Sequence, residues 1–162
     1  MPTKELCLVY MTLIQSIIDY GITLWGFSGK ENVKKILRFQ KRCARLITGE
    51  FDYDVSSQYL IQSLNWLNIK ERIEYFVSVT MYKCINESAP SYIKDNVTMF
   101  SHLHDYVTRD ELMVQLPATR TNYMKRSFKF QGPVSWNALP YDIRSAQSLI
   151  SFKSLVKDHL RN

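Results

Sequence analysis

The sequence is poor in the two residues that make tight turns, with five glycines and five prolines among 162 residues. A chain of short strands needs a turn every few residues, so this scarcity favours helices joined by a few longer loops. The 46% of apolar residues is enough to form a compact core. We therefore expect a mainly α-helical fold.

Cysteine is scarce as well. Cys7, Cys43 and Cys84 are odd in number and far apart, which argues against a disulfide framework and against a clustered cysteine metal site. We interpret them as small buried apolar residues in a reducing compartment. No apolar run approaches the ~20 residues that cross a bilayer, and no secretory leader is recognisable. We expect an intracellular protein without a membrane segment, in either the nucleus or the cytoplasm.

The usual signatures of enzymes are missing. There is no glycine-rich phosphate loop, no nucleophile elbow and no Cys-x-x-Cys pair. Asp52 and Asp54 stand at an expected helix start, where capping explains them. His102 and His104 are two residues apart, with no further ligand at metal spacing. We expect no catalytic residue, no metal and no cofactor.

Apolar residues recur at helical spacing in five segments, which are residues 3–19, 30–47, 56–64, 68–86 and 148–160. Asp54 is the candidate cap of the third segment. Asn68 and Glu71 form a capping-box pair at the start of the fourth. Two shorter helices are expected at residues 90–94 and 134–139.

The last third of the sequence is predicted to contain more loop. Residues 96–121 show little periodicity, apart from a short strand at 112–116. Residues 123–130 alternate with period two, which predicts a second strand that pairs with the first as a small β-hairpin and ends at Gly132-Pro133. We expect a helical region over residues 1–95 and a loop-rich extension over residues 96–162, packed together as one compact unit.

One face of the predicted helix 30–47 is basic. Its cations follow steps of four, three and four residues and have two more beside them; they are Lys34, Arg38, Lys41 and Arg45, with Lys35 and Arg42. No acid lies within this stripe. Like charges at such spacing repel by a few tenths of a kcal/mol per pair, so helix stability alone does not favour them. An anionic partner is one explanation, and a solvated face of arbitrary sign is the other.

A second basic group interleaves with aromatic residues. Its candidate site residues are Arg120, Lys125, Arg126 and Lys129, and Arg109 precedes them. Tyr106, Tyr123, Phe128 and Phe130 lie between these cations. Nucleic-acid binding combines cations for phosphates with flat rings for bases. Aromatic residues at period two are also typical of a core, and that alternative stays open.

Several short motifs occur in a characteristic order. They are Tyr20-Gly21, Trp25-Gly26, Gln40-Lys41-Arg42, Arg45-Leu46-Ile47, Leu64-Asn65-Trp66-Leu67, Ala89-Pro90-Ser91-Tyr92, Gly132-Pro133, Trp136-Asn137 and Leu139-Pro140. In this order they resemble the region just C-terminal to the polymerase palm in reverse transcriptases (RNA-directed DNA polymerases) of jockey-like non-LTR retrotransposons. The resemblance covers nearly the whole chain.

The resemblance implies a thumb-like helical bundle and the extension that follows it. It implies that the basic helix faces the backbone of RNA, DNA or an RNA–DNA hybrid, and that a polymerase palm domain is a protein partner. No adjacent Asp-Asp pair occurs in the sequence, so polymerase activity is not implied. We expect a non-catalytic nucleic-acid-binding fragment of such a transposable element. The alternatives are a protein-interaction fragment and a relic without independent activity.

Overall fold

The computed structural model describes residues 3–52, 54–86, 88–100 and 111–161. Within these ranges the chain is mainly helical, which confirms the predicted class, and it contains no β-strand. In chain order the helices are α1 (Thr3–Val9), a π-helical turn (Tyr10–Gln15), α2 (Ser16–Asp19), α3 (Ile22–Trp25), α4 (Lys30–Thr48), α5 (Ser57–Ser63), α6 (Ile69–Ile85), α7 (Ser91–Lys94), α8 (Asn122–Lys125), α9 (Phe128–Ala138), α10 (Tyr141–Arg144) and α11 (Leu149–Arg161).

The packing divides the chain into two compact units, Met1–Ile73 and Glu74–Asn162. The division falls inside α6, whereas the sequence predicted a change of character at residue 95. Each unit has a hydrophobic core of its own. The six cations predicted on α4 belong to the first unit, and the four predicted after residue 119 belong to the second.

The core of the first unit forms between α4, α5 and the continuous N-terminal helical segment made of α1, the π-helical turn and α2. Its buried residues are Tyr10, Ala44, Ile47, Leu60, Ile61 and Trp66. The rings of Tyr10 and Trp66 stack with centroids 4.1 Å apart and planes 13° from parallel, a contact that buries two large aromatic side chains. An ion pair between Arg72 Nε and Asp19 Oδ1, at 2.5 Å, ties the end of α2 to α6.

Local capping accounts for where α5 and α6 begin. The predicted cap at Asp54 is wrong, because the Ser56 hydroxyl accepts the hydrogen bond from the Gln58 N–H. The predicted capping box is confirmed: Asn68 N–H donates to Glu71 Oε2 at 2.8 Å, and Glu71 N–H donates to Asn68 Oδ1 at 3.2 Å. Both devices satisfy N–H groups that a helix start leaves without partners.

In the second unit, Trp136 and Asn137 organise the core. Trp136 is 1% exposed and donates its indole N–H to the Leu112 carbonyl at 2.7 Å. The Asn137 amide exchanges two hydrogen bonds with the backbone of Val114, at 2.8 and 2.9 Å. These contacts hold residues 112–114 against α9, and α9 ends at Ala138 just before Leu139-Pro140. Residues 134–138 of the short helix predicted at 134–139 are helical, as the last part of α9.

The predicted β-hairpin is wrong. Residues 112–116 contribute only an isolated bridge between Met99 and Val114. Residues 123–130, predicted as the second strand, form α8 and the start of α9 instead. Thr121 caps α8, because its hydroxyl accepts from the Met124 N–H at 3.3 Å, and Ser127 begins α9. The Thr121 cap is a local helix signal that the period-two pattern does not show.

Gly132 and Pro133 lie inside α9 and do not stop it. A Cβ added at Gly132 would lie 2.7 Å from Met81 Sδ, so this glycine permits close packing of α9 against α6. Proline removes one helical hydrogen bond, and the burial of Pro133 and Trp136 offsets that loss.

Candidate nucleic-acid interface

Helix α4 carries seven cationic residues and a single carboxylate, Glu31. Its inner face buries Val33, Gln40, Ala44 and Ile47. Gly49 ends the helix in the left-handed conformation at φ 72°, donating its N–H to the Arg45 carbonyl. Most of the cations lie on the opposite, solvent-facing side of this 19-residue helix.

The six cations predicted on α4 differ in how freely they face solvent. Lys34, Lys35, Arg38 and Arg42 are exposed, whereas Lys41 and Arg45 are half-buried. Lys34 Nζ pairs with Glu31 Oε1 at 2.7 Å, on the exposed surface. Such a pair contributes under about 1 kcal/mol and gives way readily to another anion.

Arg45 holds the loop that follows α4. Its Nη1 donates to the Asp52 carbonyl at 2.5 Å, and its Nη2 donates to the Val55 carbonyl at 2.8 Å and to Ser57 Oγ at 3.3 Å. The spacing placed Arg45 in the basic stripe, but the structure gives its guanidinium a structural role. Of the six cations predicted on α4, the exposed ones are therefore Lys34, Lys35, Arg38 and Arg42.

The second basic group is exposed throughout. Arg120 precedes α8, Lys125 and Arg126 lie at the end of α8, and Lys129 lies in the first turn of α9. Tyr123, in the same short helix, is 86% exposed. An exposed ring among cations suits single-stranded nucleic acid, on which aromatic side chains stack.

Phe128 distinguishes the two alternatives for the aromatic residues of that region, base stacking and core packing. Phe128 packs against the hydrophobic core of the second unit, as the core interpretation predicts. Tyr106 and Arg109 lie outside the described residues, as do His102 and His104. Among the residues that the structure does describe, no cluster of His, Cys, Asp and Glu is suited to hold a metal ion. Within the same part of the chain, no helix is long and apolar enough to span a membrane.

The described cysteines are free thiols in or near the cores. Cys7 and Cys43 are half-buried and Cys84 is buried. Burial raises the pKa of the Cys43 and Cys84 thiols above the ordinary value. A raised pKa keeps a thiol protonated and unreactive, which agrees with their interpretation as small apolar residues.

Gln40 is a residue whose role the sequence analysis missed. It is 2% exposed on the inner face of α4. Its Nε2 donates to the Leu67 carbonyl at 2.9 Å, and its Oε1 accepts from the Ile69 N–H at 3.0 Å. A polar residue among apolar inward positions was the available signal, but the partners lie 27 and 29 residues away, beyond the reach of local periodicity.

Comparison with known proteins adds no relative. No protein-family model, curated protein or solved structure matches this chain. The charges and contacts of the chain itself, together with the resemblance of its short motifs, are what support a function.

Proposed function

We propose that the chain binds the phosphate backbone of a nucleic acid through the outward face of α4, without reading base sequence and without catalysis of its own. The observation that carries this proposal is the set of exposed cations on one rigid helix, Lys34, Lys35, Arg38 and Arg42, with Glu31 as the only acid of that helix. Cations arranged in this way neutralise phosphates and release counterions.

The class of nucleic acid follows from the resemblance of the motifs to a reverse-transcriptase thumb. A thumb that packs against a template–primer duplex makes contacts to phosphates, which position a duplex and carry no sequence information. RNA, DNA and an RNA–DNA hybrid are therefore all candidate ligands. The second basic group, at Arg120, Lys125, Arg126 and Lys129, is proposed to contact nucleic-acid phosphates as well.

The experiment is a salt series of binding to labelled RNA–DNA hybrid, duplex DNA and single-stranded RNA. The variant Arg38→Gln/Arg42→Gln removes two exposed cations while keeping good helix formers. Each lost phosphate contact lowers the slope of log affinity against log salt by about 0.9 on duplex DNA, so we expect a slope smaller by about 2.

The matched control is Lys4→Gln/Lys157→Gln, which removes the same charge at two exposed sites outside α4. We expect it to keep the wild-type slope. Equal slopes for all three proteins would reject the assignment of the interface to α4. Absence of binding at low salt would reject nucleic-acid binding altogether and leave α4 as a solvated face.

A specific observation also favours the protein-interaction alternative. The N-terminal helices expose a row of large apolar side chains, each more than 60% exposed; they are Leu8, Leu13, Ile17, Tyr20 and Leu24. We call this row the N-terminal apolar face. Monomeric proteins seldom leave such patches uncovered, so the second candidate function is association of two copies of the chain through this face. A relic without activity would show neither salt-dependent binding nor association.

A further inference from the structure

A pocket of about 140 Å³ opens in the first unit beside the basic helix. It is lined by two residues from each of three segments: Leu37 and Lys41 of α4, Gln58 and Ile61 of α5, and Asn68 and Lys70 at the start of α6. Leu37 and Ile61 form an apolar wall. The other four lining residues are two lysines and two residues with amide side chains.

The position of the two lysines follows from the Gln40 hydrogen bonds described above. Gln40 binds the backbone of Leu67 and Ile69 and thereby fixes α4 against the beginning of α6. Lys41 is the neighbour of Gln40 in sequence, and Lys70 is the neighbour of Ile69. The buried amide thus holds together the two segments from which Lys41 and Lys70 line the pocket.

The two ammonium groups have no acidic partner among the described residues. The ion pairs found there join Lys34 with Glu31 and Arg72 with Asp19. Glu71, the carboxylate next in sequence to Lys70, is engaged by the backbone N–H and the side-chain amide of Asn68. Two lysines that line one pocket without an acidic partner make it attractive to an anion.

The donors that remain for an anion are side chains. The backbone N–H groups of Lys70 and Glu71 already donate to Asn68 Oδ1, at 2.9 and 3.2 Å, so the start of α6 is capped from within. Lys41 and Lys70 offer positive charge, and Gln58 adds an amide. A phosphate group, with several acceptor oxygens and a charge of up to two, matches two point charges and an amide.

We infer that the pocket between Lys41 and Lys70 binds a phosphate group. The preferred source of this phosphate group is the backbone of the nucleic acid that binds α4, and in this respect the inference rests on the proposed function. Free phosphate is the other source with the same chemistry. In either case Lys70, which the sequence analysis did not single out, becomes a binding residue.

The first experiment follows backbone amide signals of the full-length chain by NMR while inorganic phosphate replaces chloride at constant ionic strength. We expect saturable shifts at residues 37–41 and 68–70. Lys70→Gln should weaken this binding about tenfold, the loss of one charge-assisted contact, and Lys70→Arg should retain it. The control is Lys30→Gln, at an exposed lysine of α4 outside the pocket. It should leave phosphate binding unchanged.

The second experiment measures nucleic-acid binding by the same variants and separates the two sources. A weaker affinity for Lys70→Gln, together with competition by phosphate, supports a backbone phosphate in the pocket. Saturable phosphate binding with unchanged nucleic-acid affinity supports free phosphate as the ligand. If phosphate produces no more shift than chloride and Lys70→Gln binds nucleic acid like wild type, the pocket inference is overturned. The proposed function then still stands or falls by the Arg38→Gln/Arg42→Gln result.

Discussion

Arg45 stands in the predicted basic stripe, yet its guanidinium is bound to the loop after α4. Three acceptors, the carbonyls of Asp52 and Val55 and the hydroxyl of Ser57, lie within 3.3 Å of it. Helical spacing places a Cα on a face, but a side chain as long as arginine reaches a neighbouring segment. The charge of a residue is readable from the sequence, whereas its partner is not.

The variant Arg45→Met tests this structural role. It deletes hydrogen bonds of a charged group and leaves the loop carbonyls without that donor, so we expect the free energy of unfolding to fall by about 1–3 kcal/mol. Arg42→Met, at an exposed position on the same helix, should stay within about 0.5 kcal/mol of wild type. Urea denaturation measures both. Equal losses in the two variants would contradict the structural role of Arg45.

Tyr10 links stability to alkaline pH. Burial is the largest cause that raises the pKa of Tyr10 from the ordinary value of 10.0 to about 12. The folded state therefore keeps the phenol protonated where the unfolded chain has lost the proton. This contribution to stability is complete below pH 10 and declines as the pH rises towards about 12.

Tyr10→Phe has no phenol to ionise, so its free energy of unfolding should fall less steeply than that of wild type across this alkaline window. Urea denaturation at a series of pH values compares the two slopes. Tyr59→Phe, at a side chain that is 64% exposed, serves as the control. Parallel curves for wild type and Tyr10→Phe would show that the phenol is not protected in the folded state.

At the scale of the element, most helices were predictable, including the short α5 and α7, whereas α8 and the start of α9 were predicted as a strand. Helices α4 and α11 bury one face each, and their apolar spacing shows it. Helix α6 is buried on several sides, and its apolar content together with its capping box predicted it. Residues 123–130 alternate by composition, but Thr121 and Ser127 each start a helix there. Gly132-Pro133 resembled a stop because both residues are rare inside helices, and only the contact with Met81 explains the glycine.

The turn between α3 and α4 provides a matched pair of glycines. A Cβ at Gly26 would lie 2.6 Å from the Ile22 carbonyl oxygen and 2.8 Å from Ile73 Cγ2, whereas a Cβ at Gly29 would meet nothing within 4 Å. Gly26→Ala should lower the free energy of unfolding by about 1–3 kcal/mol through overpacking. Gly29→Ala should change it by no more than about 0.5 kcal/mol. Thermal or urea unfolding of the two variants measures these changes. Equally small losses of stability in Gly26→Ala and Gly29→Ala would contradict the close packing at Gly26.

At the scale of the whole molecule, charge is unevenly distributed along the chain. Helix α4 has seven cations and one acid, an excess of six that equals the formal net charge of the entire chain. In the rest of the chain the positive and negative charges are equal in number. A protein with this charge distribution attracts a polyanion mainly to α4. Its pI of about 9.2 is therefore set by α4 and not by a generally basic surface.

The N-terminal apolar face leads to a prediction for the whole chain. We expect the purified protein to self-associate, so that its sedimentation depends on concentration. This association should persist in high salt, because burial of apolar surface is not screened by ions. Ile17→Glu/Leu24→Glu should yield monomers, since both side chains are at least 75% exposed and their replacement leaves the core intact.

Ile150→Glu, at an apolar residue of α11 that is 83% exposed, is the control and should associate like wild type. Wild-type protein that remains monomeric at all concentrations would remove self-association from the candidate functions.

The two contacts that hold the beginning of α6 in the first unit join residues that lie far apart in the sequence. Arg72 pairs with Asp19, 53 residues earlier, and Gln40 binds Leu67 and Ile69, 27 and 29 residues later. Such contacts form only after the intervening chain has closed into a loop, which costs conformational entropy. Helix α4 is held by local hydrogen bonds, whereas its register against α6 is fixed only when the whole of the first unit has folded.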